Sequence, residues 1–328
     1  MPNDACAWQQ DILPALPLQV RNCVALMPPQ LCANVQEIRL RVHNPLFIGT
    51  GTTQRMLGEA GLFVTDAKAA YSVTEKDCRE ALMLLAQHSL YAVEEQMRQG
   101  FITLQGGYRV GLSGFVVLQE GEIKRITDVV GFSYRISRQV LGAADGLLPH
   151  LVRGGTVYNT LVVSAPQMGK TTLIRDIARQ LSNGAIRREG LKVTIVDERG
   201  EIAGCKRGVP QCDVGMRTDV LDGCPKEYGI LLAVRALSPQ VIVTDELGGP
   251  ADCDALVQAA YTGVRLISTV HAGSLEDLQN CPHVHALVQQ GIFERIVLLG
   301  NSKGVGTVEG VYTKDFKRLT QQTAGGAV

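Results

Sequence analysis

Two kinds of hydrophobic pattern divide the chain. In the first, up to about residue 150, short alternating runs mix with one long helical stretch. VQEIRLRVHNPLFI (35–48) alternates Ile38, Leu40 and Val42 with Arg39, Arg41 and His43. That reads as a half-buried strand with one polar face, ended near Asn44-Pro45. The stretch 73–100 reads as a helix: Thr74 caps it with Asp77 three residues on, Leu82, Leu85 and Ala86 begin an apolar face, and Gly100 stops it. The following residues, 101–127, read as strands broken at Gly106-Gly107 and at Glu120-Gly121.

The second pattern is different. Runs apolar on both faces alternate with helical stretches: 160–165, a helix over 170–182, 192–197, a helix around 227–237, 240–246, a helix over 252–262, and 264–271. Strands of that kind separated by helices predict a parallel sheet covered on both sides. ERIVLLG (294–300) and GTVEGVYT (306–313) read as a closing pair of strands. The expected fold class is α/β, a parallel sheet with helices on both faces preceded by a smaller α/β domain. The glycine-rich stretch around 142–155 places the boundary, giving an N-terminal domain over 1–145, a second domain over 146–315 and a fraying tail over 316–328.

The candidate chemistry lies at the strand ends of the second part. Ser164-Ala165-Pro166-Gln167-Met168-Gly169-Lys170-Thr171-Thr172 follows an apolar strand and opens a helix, the context of a phosphate-binding loop. Its end matches G-x-x-x-x-G-K-[ST]; its beginning does not, because Ser164 stands where that pattern has its first glycine. Gln167 also stands where glycine is common in such loops. The helix start offers free N–H groups and positive dipole to a phosphate. Lys170 is positioned for the β and γ phosphates of ATP, and the Thr171 hydroxyl for Mg²⁺. An ordinary strand–turn–helix junction is the competing reading of the loop taken alone.

About 75 residues on, VIVTDE ends in Asp245 and Glu246 at the carboxyl end of an apolar strand, where sheets of this type bind ligands. Asp245 is the second candidate for the Mg²⁺ shell and Glu246 the group that polarises the attacking water. The intervening strand KVTIVD points to the additional-strand type of P-loop ATPase. Asp197, Glu198 and Glu201 of DERGE are either a second acidic cluster at that edge, with Glu198 catalytic, or a solvated turn. His271 ends the next strand and is a candidate γ-phosphate sensor. Arg217 and Arg235 are candidate phosphate or inter-subunit fingers; surface roles compete equally. The residues around Arg217 read as an exposed loop.

Bulk composition narrows the classes. The chain has 328 residues, 45% hydrophobic and 20% charged, so a large core is expected and disorder is not. Lys+Arg and Asp+Glu balance at 32 each, which argues against nucleic acid as a partner. Lys124, Arg125, Arg135 and Arg138 in the first part are interrupted by Asp128 and apolar residues and read as a solvated strand face. The nine cysteines show no C-x-x-C spacing, so no zinc site is expected, and reduced thiols in a cytosolic protein are. The N-terminus lacks a basic start with a long apolar run, and no stretch reaches membrane-spanning length, so any membrane contact is expected through a partner.

SAPQMGKTTLIRDIARQL, IVDERGEIAGC, PQCDVGMRTDVLDGCPK, ALSPQVIVTDELG and GVRLISTVHAGS together resemble the stage III sporulation protein AA family of spore-forming bacteria. VQEIRLRVHNPL, GYRVGLSG and ITDVVGFSYRISRQV resemble it in the first part, so the likeness runs from about residue 35 to about residue 313. That family is similar in turn to type II and type IV secretion and pilus-assembly ATPases. The resemblance implies an Mg²⁺-dependent ATPase of the mother-cell cytoplasm, peripheral to the membrane. It implies self-association, as a hexameric ring, and membrane-protein partners in a channel between mother cell and forespore. A nucleotide-gated assembly scaffold with little turnover, a secretion or pilus-type ATPase outside sporulation, and a nucleic-acid translocase are the competing readings.

Overall fold

The computed structural model describes residues 6–51, 53–87, 89–136, 139–185 and 189–319. Arg138 and residues 320–328 of the tail lie outside them. Two compact units are present, Met1–Arg138 and Gln139–Val328.

The first unit carries short helices α1 (Trp8–Ile12), α2 (Leu18–Ala25) and α3 (Pro29–Cys32), followed by strands β1 (Glu37–Arg41), β2 (Phe47–Thr50), β3 (Thr53–Leu57) and β4 (Phe63–Val64). Helices α4 (Glu75–Leu85) and α5 (Glu94–Arg98) precede β5 (Phe101–Thr103), β6 (Arg109–Gln119) and β7 (Glu122–Arg135). The strands form one antiparallel sheet in the order β4-β3-β2-β1-β7-β6-β5. Ile38 and Leu40 point into its core while Arg39 and Arg41 stay half-buried, as the alternation requires. The expected cap at Thr74 is present. Its side chain accepts the Asp77 N–H at 3.1 Å, and Asp77 Oδ2 accepts the Thr74 N–H at 2.8 Å. The single helix expected over 73–100 is instead two. Gln87 takes φ +49 and the Gln87 N–H turns to the Leu84 carbonyl, which ends α4. Lys124, Arg125 and Arg135 lie on exposed positions of β7.

The second unit contains α6 (Leu148–Leu151), the small β8–β9 ribbon (Val152–Arg153 and Thr156–Val157), β10 (Thr160–Ser164), α7 (Lys170–Asn183), β11 (Val193–Asp197) and β12 (Thr218–Asp222). It continues with α8 (Lys226–Ala236), β13 (Val241–Glu246), α9 (Pro250–Tyr261), β14 (Arg265–His271), α10 (Leu275–Gln279), α11 (Pro282–Gln289), β15 (Arg295–Gly300) and β16 (Thr307–Thr313). The order is β12-β11-β13-β14-β10-β15-β16, parallel throughout except for β16. Neighbouring residues of each strand feed opposite faces. Val162 packs with Leu173, Ile174 and Ile177 of α7, whereas Leu161 and Val163 pack with Ile230 of α8, Leu256 of α9 and Leu287 of α11.

Three details depart from the sequence reading. Residues 218–222, read as exposed loop, form the edge strand β12; it pairs with β11 on one side only, and its two apolar residues, Val220 and Leu221, are adjacent and go to opposite faces of the sheet. The strand that stands between the loop strand β10 and the acidic strand β13 is β14, not the intervening KVTIVD strand, which lies beyond β13 as β11. The glycine-rich stretch around 142–155 belongs to the second unit: Ala144, Leu147, Leu148 and Leu151 are in its core, and Asp176 of α7 accepts the Ala144 N–H at 2.9 Å.

Candidate phosphate-binding site

Parallel strands deliver their carboxyl ends to one edge of the sheet, and there Ser164, Asp197, Glu246 and His271 end β10, β11, β13 and β14. Ser164 pairs with His271 in the register, so the loop and the histidine are neighbours. A register shift between Val243 and Glu246 sets Glu246 opposite Thr269. Glu246 Oε1 then lies 2.8 Å from His271 Nδ1, with both side chains half in solvent.

The loop from Ser164 to Gly169 turns through two left-handed residues, Gln167 at φ +63 and Gly169 at φ +87. Gln167 is the residue standing where glycine is common, and it adopts a glycine-like backbone with its side chain exposed. Ala165 and Met168 are half-buried and Pro166 is exposed. Gly169 also lacks room: a Cβ there would stand 3.3 Å from the Cα of Gly306 in the β15–β16 turn. No side chain caps α7, so the N–H groups of its first turn face the loop's concavity without a helix-internal partner. Thr171 and Thr172 are half-buried in that turn.

Lys170 opens α7 and is only 7% exposed. Its ammonium curls into its own loop, donating to the Ser164 carbonyl (2.9 Å), the Ser164 hydroxyl (3.2 Å) and the Ala165 carbonyl (3.0 Å). Ser164, the residue in the first glycine's place, is therefore part of the lysine's seat. Burial pulls the Lys170 amine down to about 8, against the opposing pull of Glu246.

The acidic residues separate into different jobs. Asp197 is fully buried and turned inward: its carboxylate accepts the N–H groups of Glu201 (2.8 Å), Ile202 (3.0 Å) and Ala203 (2.8 Å), and so shapes the DERGE loop. Glu201 contributes its carbonyl to Arg175 of α7 at 2.6 Å, and Ile202 does the same, tying the loop helix to DERGE. Glu198 stays at the site, in contact with Lys226. Asp245 is buried; burial pushes its carboxyl up to about 6, against the nearby Lys226 charge. Its Oδ1 is ion-paired with the Lys226 ammonium at 3.0 Å.

Arg217 and Arg235 are not brought to this edge of their own chain. Arg217 precedes β12 and gives its carbonyl to the Val193 N–H at the sheet's opposite edge, and Arg235 lies in the last turn of α8, next to that edge. Both are exposed. Sequence reading missed Lys226 and Arg175. Lys226 was hidden because β12 was unread; with it, Pro225-Lys226 becomes another strand–loop–helix junction at the same edge.

The residues fit a nucleotide with its metal: an uncapped helix start, a lysine beside it, and the buried Asp245 carboxylate at the same edge of the sheet. Among the described residues no group of three or more His, Cys, Asp or Glu converges on one point. Magnesium held mainly by phosphates and waters requires none. All nine cysteines are free thiols, and no helix among the described residues is long and apolar enough to cross a membrane.

A loop strand followed at once by a helix, with β14 inserted between it and the acidic strand, defines a P-loop NTPase core of the additional-strand type. Solved structures share the fold. The Legionella pneumophila ATPase DotB superposes with a TM-score of 0.54 at 14% identity, over 92% of this chain and 77% of that one. The Yersinia pseudotuberculosis ATPase DotB gives 0.50 at 14% identity, over 82% and 72%. The chain belongs to the family described as sporulation stage III, protein AA, whose model matches residues 7–319. It is 39% identical over 313 residues to stage III sporulation protein AA of Bacillus subtilis (strain 168), covering 95% of this chain and 98% of that protein. It is 31% identical over 166 residues to the uncharacterised protein ycf45 of Cyanidium caldarium, covering 50% of this chain and 47% of that one.

Proposed function

We propose that the chain binds ATP with Mg²⁺ and hydrolyses it. The observation that supports this reading is the Glu246–His271 contact of 2.8 Å beside the uncapped start of α7, a carboxylate and an imidazole at the mouth of one loop. The backbone of residues 164–169 and the first turn of α7 cradle the phosphates, and Lys170 reaches them by leaving the Ser164 and Ala165 carbonyls. Thr171, Thr172 and Asp245 serve the phosphates and the metal; Mg²⁺, when bound, offsets phosphate charge. Glu246 orients water and accepts its proton, with His271 holding the carboxylate in place.

In the cell, the reading places the chain in the mother-cell cytoplasm, at the membrane surface through membrane-protein partners. It would act as a self-associated, hexameric ring that powers or assembles a channel complex between mother cell and forespore. Exposed Arg217 or Arg235 would reach a neighbour's site in such a ring.

The test is steady-state ATP hydrolysis at high protein concentration, wild type beside Lys170→Ala and Glu246→Gln. Turnover abolished by both substitutions is the expected result. Turnover unchanged in both sinks the assignment. A second reading, a scaffold that binds nucleotide and scarcely turns over, is favoured by one observation: Lys170 is already satisfied by three acceptors of its own loop. It predicts nucleotide binding that needs Lys170 with no hydrolysis, even with membrane partners supplied.

A further inference from the structure

Lys226 sits at the first position of α8 and is only 5% exposed. Its ammonium touches the Glu198 carboxylate and lies 3.0 Å from Asp245 Oδ1, so one cation bridges the ends of β11 and β13. The start of α8 has little freedom to lift this lysine away. A Cβ on Gly229 would stand 2.5 Å from Val196 Cγ1, so the helix lies flush on β11, and the Gly229 N–H is bonded to the Pro225 carbonyl at 2.9 Å.

We infer that Lys226 is a built-in cation that occupies Asp245 and Glu198 in the nucleotide-free chain and bars a free divalent metal from them, so that metal enters with the phosphates and not before. This rests on the nucleotide reading above. A divalent ion arriving alone at Asp245 meets a fixed positive charge at contact distance, in a partly buried site where charges are weakly screened. It also surrenders hydration reluctantly, and one carboxylate shared with an ammonium is poor compensation. Phosphate oxygens supply the negative charge that offsets both cations. Glu198 in this account is a positioning residue: it holds Lys226, and through it the carboxylate of Asp245, without touching substrate.

The experiment titrates the full-length, nucleotide-free protein with Mn²⁺, following free Mn²⁺ by electron paramagnetic resonance and the melting temperature in parallel. Wild type and Lys226→Arg bind Mn²⁺ no better than Lys226→Met/Asp245→Asn. Lys226→Met gains about one Mn²⁺ per chain, at least about tenfold tighter, because a unit charge has been removed at contact distance. Equal Mn²⁺ affinity in wild type and Lys226→Met overturns the inference. If Lys226→Met does not fold by circular dichroism, wild type and Asp245→Asn still decide: Mn²⁺ bound by nucleotide-free wild type and lost in Asp245→Asn also overturns it. A fluorescent ATP analogue, with Lys170→Ala as control, tests the nucleotide reading separately. Absent or Lys170-independent binding would refute that reading, while the Mn²⁺ titration continues to judge Lys226.

Discussion

Gln167 allows the conformation of the phosphate loop to be tested without touching any buried contact. Its backbone lies at φ +63 and its side chain is exposed, so a substitution there acts mainly through the backbone. A left-handed residue other than glycine costs about 1–2 kcal/mol. Gln167→Gly removes that cost but adds about 0.5–1 kcal/mol of freedom to the unfolded chain. The net expectation is about 0.5–1 kcal/mol of added stability. Gln167→Val moves the other way: a β-branched side chain is an outlier in this region, and the variant should lose at least about 1 kcal/mol. For a unit of this size each kcal/mol shifts the melting midpoint by roughly 2–4 °C, which separates the two variants by about 3–8 °C. Differential scanning calorimetry of the full chain reads the second unit's transition, and a urea titration at fixed temperature checks it. Glycine and valine variants that melt within about a degree of each other would refute the left-handed turn at this position.

Two further outcomes follow from the same edge of the sheet. Asp197→Ala leaves three N–H groups of the DERGE loop without their buried acceptor and should cost about 2–4 kcal/mol, read as a lower urea midpoint; a change under about 0.5 kcal/mol would contradict the inward role of that carboxylate. Lys170, held down to about 8 by burial, binds fewer protons in the folded than in the unfolded chain between that pH and its ordinary value of 10.5. Wild-type stability therefore gains a rising contribution across that window, present in full above it and lost as pH falls through about 8. Lys170→Met should remove this slope, and parallel pH profiles for the two proteins would contradict the buried seat of the lysine.

Much of the second unit is legible in the residues because its strands are apolar on both faces and its helices are punctuated. The six runs from Thr160 to Thr313 fall on β10, β11, β13, β14, β15 and β16 with ends differing by about one residue, within the usual ambiguity of element boundaries. Two of the departures have local physical causes. Edge strand β12 pairs with a neighbour on one side only, and its two apolar residues, Val220 and Leu221, are adjacent and flanked by polar ones, so it shows neither an apolar run nor an alternation. The helix over 73–100 carries a continuous helical pattern, yet Gln87 takes the left-handed conformation, and nothing in a side chain's hydrophobicity announces a backbone dihedral.

The residue order by itself determined the alternation of strand and helix, the strand–loop–helix entry of Ser164–Thr172, and the acidic and histidine strand ends, because each depends on local pattern and spacing. Tertiary structure alone decided which strand stands beside which. It set β14 between β10 and β13, brought Glu246 to within 2.8 Å of His271, and turned Asp197 inward while leaving Glu198 at the site. It also carried Arg217 and Arg235 to the far edge and drew Lys226 into contact with both Glu198 and Asp245. The physical reason is that sheet order and charge pairing are non-local: they are set by which faces bury together and which charges must share a desolvated space, and neither is a function of spacing along the chain.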